Sequence, residues 1–131
     1  ALAVRSAAFR SVGGFDEAFA PAWFEDVDLA ARLHERGPIL YWPAARFRHR
    51  GGAAAVDLGY ARFLPIYYRN AIRYRRRRYG PLARVAYRGL LAAGMALRLA
   101  ALPLRRPSRP WKESARAYLR TMAVALSPSD S

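Results

Sequence analysis

The feature that most constrains this chain is the distribution of its charge. Residues 1–52 hold seven Arg against six Asp or Glu, net +1, which leaves +13 of the total +14 for residues 53–131. A chain of 131 residues is long enough for one compact domain, but a balanced stretch followed by a strongly basic one argues for regions with different surroundings. Localised Arg marks an anionic partner, either a phosphate backbone or an anionic lipid surface.

Zero Cys excludes a disulfide framework, a thiolate metal site and a Cys nucleophile, and fits a reducing cytoplasm. The chain opens on Ala1 and enters a patterned segment without the basic start and apolar run of a signal peptide, which suggests a truncated sequence. The longest weakly polar run, Gly89 to Leu104, is broken by Arg98 and Pro103. It falls short of the roughly 20 apolar residues that span a bilayer, so no transmembrane helix is expected.

Local pattern divides the chain further. Ala1 to Phe9 suits a short strand or helix that runs into a turn at Gly13-Gly14. Glu25 to Arg36 reads as a helix: Val27, Ala30 and Ala31 share a face that Leu29 and Leu33 widen, and Gly37-Pro38 provides a stop. Ile39 to Trp42 reads as a strand limited by Pro43, and Arg46 to His49 as a second, with Phe47 and His49 on one face.

Beyond residue 56 the period becomes helical. Tyr60, Phe63, Leu64, Tyr67, Ala71 and Tyr74 form a stripe opposite Arg62, Arg69, Arg73 and Arg76. Pro65 suggests that this helix starts nearby, and Tyr79-Gly80-Pro81 ends it. Leu82 to Leu102 gathers Arg84, Arg88 and Arg98 in a narrow sector and leaves a wide apolar face, the profile of an interfacial helix. Arg105 to Pro110 reads as a linker, Trp111 to Leu126 as a last helix, and the Ser-rich tail Ser127 to Ser131 is expected to be disordered.

Two groups stand out chemically. Glu25-Asp26 lies at a helix start behind Trp23-Phe24, where a carboxylate can be held ionised and aimed into a cleft as a general base; the same residues also suit ordinary N-terminal capping. His49, at a strand end, can bind a divalent ion or a diphosphate, or serve as a hydrogen-bonded structural residue.

The order of pieces narrows the choice. Val4-Arg5-Ser6-Ala7-Ala8-Phe9, Val12-Gly13-Gly14-Phe15-Asp16-Glu17, Phe24-Glu25-Asp26-Val27-Asp28-Leu29 with Arg32, then Gly37, Tyr41, Pro43 and His49 follow one another across residues 4–52. This series closely resembles the end of the catalytic domain in the inverting GT-A glycosyltransferases of family 2, which include bacterial rhamnosyltransferases. Tyr67-Tyr68-Arg69-Asn70 and the Arg run after it resemble the membrane-proximal helices that often follow that domain.

The resemblance implies an α/β fold: residues 1–56 as the C-terminal portion of a GT-A (nucleotide-diphospho-sugar transferase) domain, 57–104 as a basic amphipathic helical region, and 105–131 as linker, terminal helix and tail. It implies that Asp26 is the catalytic base that deprotonates the acceptor hydroxyl, with Glu25 in support, and that no enzyme nucleophile is needed. Gly13, Gly14, Phe15 and Asp16 match the acceptor-side segment, for which a simple tight turn is the equal alternative; Trp23 and Phe24 could stack on a sugar or pack in the core. His49 matches a residue that completes a metal and diphosphate site supplied mainly by an upstream Asp-x-Asp, which this sequence lacks, so metal binding by this stretch alone is expected to be negligible. The cofactor implied for the whole enzyme is a divalent metal, Mg2+ or Mn2+.

The implied partners are a nucleotide-sugar donor, a glycan or glycolipid acceptor and an anionic membrane surface, with no nucleic acid expected. The implied location is cytoplasmic, peripheral at the inner face of the cell membrane. Two other readings stand beside this one: a basic module that binds nucleic acid or membrane, for which no helix-turn-helix, zinc, RNP or KH signature is found, and a remnant without donor binding.

Overall fold

A computed structural model describes residues 2–48, 58–104 and 109–128. It divides into two compact units, Ala1–Gly51 and Gly52–Ser131. His49, residues 105–108 of the expected linker, and residues 129–131 of the Ser-rich tail lie outside the described residues.

In the first unit, α1 (Ser6–Ser11) leads through the Gly13-Gly14 turn to a 3-10 turn at Glu17–Phe19 and then to α2 (Glu25–His34). The ambiguous start therefore resolves as helix. α1 ends in a Schellman closure: the Gly14 amide donates to the Phe9 carbonyl and the Gly13 amide to the Arg10 carbonyl, each at 3.0 Å. That closure needs a left-handed residue just past the helix, and Gly13 supplies it with φ +78°. A side chain on Gly14 would meet the Phe9 ring at 3.0 Å, so both glycines are fixed by helix termination.

α2 stops at His34, two residues before the expected end. The Arg36 amide donates to the Leu33 carbonyl in a closing turn that precedes Gly37-Pro38. Phe19 and Leu29 are the fully buried apolar side chains of this unit.

The expected α/β fold is not observed. The described residues contain helices and turns but no strand. Ile39 to Trp42 and Arg46 to Arg48 are irregular backbone, and Leu40, Tyr41 and Trp42 are 83%, 90% and 74% exposed. The physical reason is that apolar, β-branched and aromatic composition alone does not make a strand: its N–H and C=O groups need a neighbouring ladder, and no described segment pairs with this one.

The second unit consists of helices and short connections, with no strand among the described residues. α3 (Tyr60–Ala100) is broken at Gly80, where φ is 82° and ψ −176°, into arms of residues 60–79 and 81–100. Gly80 takes the left-handed value at no steric cost, and Pro81, which lacks an N–H, opens the second arm where that donor would be unsatisfied anyway. A short 3-10 turn, Leu102–Leu104, follows. α4 (Trp111–Leu126) then packs along α3.

The core joins Leu64 and Ile72 of the first arm, Leu91 and Met95 of the second, and Ala117 and Ala125 of α4. Arg75 stacks 3.8 Å from the centre of the Tyr87 ring, clipping one arm to the other across the break. The first arm starts at Tyr60, earlier than Pro65 suggested, because Glu113 of α4 accepts the Tyr60 amide hydrogen bond at 3.0 Å and stabilises a turn ahead of the proline.

The opposite end of the pair is closed from the other side. Arg88 Nε donates to the Ala125 carbonyl at 2.7 Å and Arg84 Nη2 to the Pro128 carbonyl at 3.0 Å, so two cations sit where the α4 dipole is negative. Each helix thus supplies an end cap for the other.

Replacing Glu113 by Ala should lower unfolding stability of this unit by about 1 kcal/mol, the usual cost of a lost N-terminal cap, as read by denaturant titration. Burial, reinforced by the Tyr118 hydrogen bond, pushes the Tyr60 hydroxyl up from 10.0 to about 12. The folded form therefore keeps a proton that the unfolded chain releases, so this contribution is full below pH 10 and is lost as pH rises toward about 12. Unfolding midpoints should fall across that window in wild type and less steeply in Tyr60→Phe.

Candidate functional site

The best-defined polar assembly in the first unit is built around Arg32. Its Nε donates to Asp28 Oδ2 at 2.8 Å, one helical turn back; Nη1 donates to the Val12 carbonyl and Nη2 to the Gly14 carbonyl, the latter at 2.8 Å. A single planar guanidinium thereby ties α2 to carbonyls just beyond the C-terminus of α1. Asp28 is buried, and this ion pair accounts for it.

Asp26, two residues earlier, has different surroundings. It is exposed, its Oδ1 accepts the Val27 amide hydrogen bond at 2.8 Å, and no protein partner is recorded for Oδ2 among the described residues. Glu25 is half-buried, with Oε2 sealed from solvent and without a hydrogen-bond partner among the described residues. The Glu-Asp-x-Asp stretch therefore separates into one structural carboxylate, Asp28, and two that are not committed to an ion pair.

The approach to α2 is unusual in its backbone. Trp23 and Phe24 both adopt left-handed conformations, with φ 72° and 74°. For bulky side chains this region costs of order 1–3 kcal/mol per residue, and such strain clusters at functional sites. Both rings are half-buried. In the preceding segment Phe15 is half exposed and meets Phe9 edge-on at 5.6 Å, and Asp16 caps the 3-10 turn through the Ala18 amide at 2.8 Å.

The structure thus accounts for Gly13, Gly14 and Asp16 as turn and cap residues, without bearing on whether a ligand approaches them. Among the described residues no three His, Cys, Asp or Glu gather to hold a metal ion. These residues alone do not fit a divalent ion. The bonding role of Arg32 is missed by motif reading, although the Asp28–Arg32 spacing of four on a helix is a signal for it.

No protein-family model, no curated protein and no solved structure matches the chain. Among the described residues no helix is long and apolar enough to cross a membrane.

Arg32→Lys keeps the charge but cannot reproduce the fork on two carbonyls and a carboxylate. It should lower the stability of the first unit by about 2 kcal/mol, the scale of a lost charge-assisted hydrogen bond. A change below a few tenths in denaturant titration would remove the clamp from this account.

Proposed function

We propose that the chain carries the acceptor-activating end of an inverting glycosyltransferase that takes its sugar from a nucleotide-diphosphate donor. Asp26 is the general base in this reading and Glu25 supports it. The observation that carries the proposal is the division of labour among the carboxylates of α2: Asp28 is buried against Arg32, while Asp26 is exposed with one oxygen uncommitted among the described residues. The paired left-handed backbone at Trp23 and Phe24, directly ahead of Glu25-Asp26, adds support, because strain of this kind is seldom retained without use.

In the proposed reaction the acceptor hydroxyl passes its proton to Asp26 as its oxygen forms a bond to the anomeric carbon. The bond from that carbon to the diphosphate oxygen breaks, and its electron pair leaves with the nucleoside diphosphate. One base on the acceptor side suffices, and the anomeric configuration inverts. A divalent ion, Mg2+ or Mn2+, is proposed for the whole enzyme, and the described residues hold no ligand set for it. Gly13 to Asp16, with Trp23 and Phe24, are the proposed acceptor-side contacts. The proposed acceptor is a lipid-linked or cell-surface glycan, with the enzyme peripheral at the cytoplasmic face of the membrane.

Asp26→Asn in the full natural chain should lower kcat by about a hundred- to ten-thousand-fold, the range ascribed to general-base catalysis, and leave donor binding unchanged. Asp28→Asn should instead lower the unfolding midpoint. Steady-state kinetics with donor titration separates the two, and loss of donor binding in Asp26→Asn would remove the base assignment.

A further inference from the structure

The second arm of α3 is built inside out relative to an ordinary surface helix. Its charged residues across 81–100 are Arg84, Arg88 and Arg98, and it contains no Ser, Thr, Asn, Gln, Asp, Glu or Lys. Arg84 and Arg88 reach the end of α4, on the side where Leu91 and Met95 enter the core. Arg98 donates to the Gly94 carbonyl of its own helix. The opposite face is left to apolar residues: Leu82, Leu90 and Leu97 are 81%, 74% and 71% exposed, and Val85, Ala86 and Ala93 between them are exposed too. At 1.5 Å per residue this stripe runs for about 22 Å from Leu82 to Leu97 without a polar side chain.

Charge decides what covers it. The exposed Arg76, Arg77 and Arg78 immediately precede this arm, and Lys112, Arg116 and Arg120 are exposed on α4. Glu113 is the one acidic side chain among the described residues of this unit, and it is engaged at the Tyr60 amide. Two copies meeting stripe to stripe would bring two strongly basic units together, whereas an anionic lipid surface offers opposite charge to the arginines and hydrocarbon to the leucines.

We infer that residues 82–100 form a lipid-contact face that lies in the plane of an anionic membrane, leucines inward. Arg84 and Arg88 take no part in it because they cap α4. The inference deepens the peripheral-membrane element of the proposed function and is independent of sugar transfer.

The test is cosedimentation of the full chain with vesicles of phosphatidylcholine and phosphatidylglycerol, against phosphatidylcholine alone. The chain should bind the anionic vesicles preferentially. Leu90→Gln combined with Leu97→Gln should weaken that binding by about tenfold or more, with helicity unchanged, while Leu119→Gln on α4 should not. Because the chain has no Cys, Leu90→Cys and Leu119→Cys each accept a single environment-sensitive fluorophore. The label at 90 should shift to the blue on anionic vesicles and the label at 119 should not, a readout that survives partial loss of fold in the double variant.

Equal binding by the double variant, or no vesicle binding at all, would overturn the inference. So would a blue-shifted label at 90 before vesicles are added, which would mean that protein covers the face. A dimer that Leu90→Gln and Leu97→Gln dissolve would assign the stripe to a second copy, and preferential binding to a nucleic-acid duplex would assign the charge elsewhere. None of these outcomes depends on donor or acceptor, so failure here is distinct from failure of the catalytic reading.

Discussion

Helix ends leave backbone donors and acceptors that must find partners, and in both units charged side chains from another helix add to the backbone closures there. Arg32 of α2 serves carbonyls just beyond the end of α1. Glu113 of α4 serves the first amide of α3, and Arg88 and Arg84 of α3 serve carbonyls at and beyond the end of α4. In each case the sign suits the dipole, negative at an N-terminus and positive at a C-terminus. These few contacts fix which helix faces which, and they decide which charged residues are left for chemistry or for partners.

That sorting bears on the proposed function. In α2 it removes Asp28 from consideration as a catalytic group and leaves Asp26, two residues away and exposed, as the better candidate. In α3 it engages Arg84 and Arg88, both half-buried, at the end of α4 and leaves a helix whose opposite face is apolar. A high net charge therefore does not translate into a uniformly available basic surface. Part of it is engaged in helix contacts, and exposed cations include Arg76 to Arg78 and Lys112, Arg116 and Arg120 of α4.

Much of the helical architecture was legible in the sequence. Trp111 to Leu126 forms as expected, the break at Tyr79-Gly80-Pro81 falls where the Gly-Pro pair put it, and α2 differs by two residues at its end. The lack of a strand at Ile39 to Trp42 was not legible, because the segment carries strand-like composition while pairing is a long-range property that local composition does not encode. The role of Arg84 and Arg88 was equally hidden. Their narrow sector was visible, but whether it faced lipid or another helix depends on where α4 docks, a contact made across 37 and 44 residues of sequence. At the candidate site the acidic start of α2 was readable from spacing, whereas the paired left-handed conformations of Trp23 and Phe24 carried no local signal, since neither residue type favours them.

In the proposed function the exposed carboxylate at the start of α2 activates an acceptor hydroxyl for direct displacement at a sugar's anomeric carbon. The most direct measurement is the stereochemical course of transfer by the full natural chain, followed by NMR with a panel of nucleotide-diphospho-sugars and a lipid-linked acceptor. The expected product has inverted anomeric configuration. Transfer with retention, or no transfer from any donor, would contradict it.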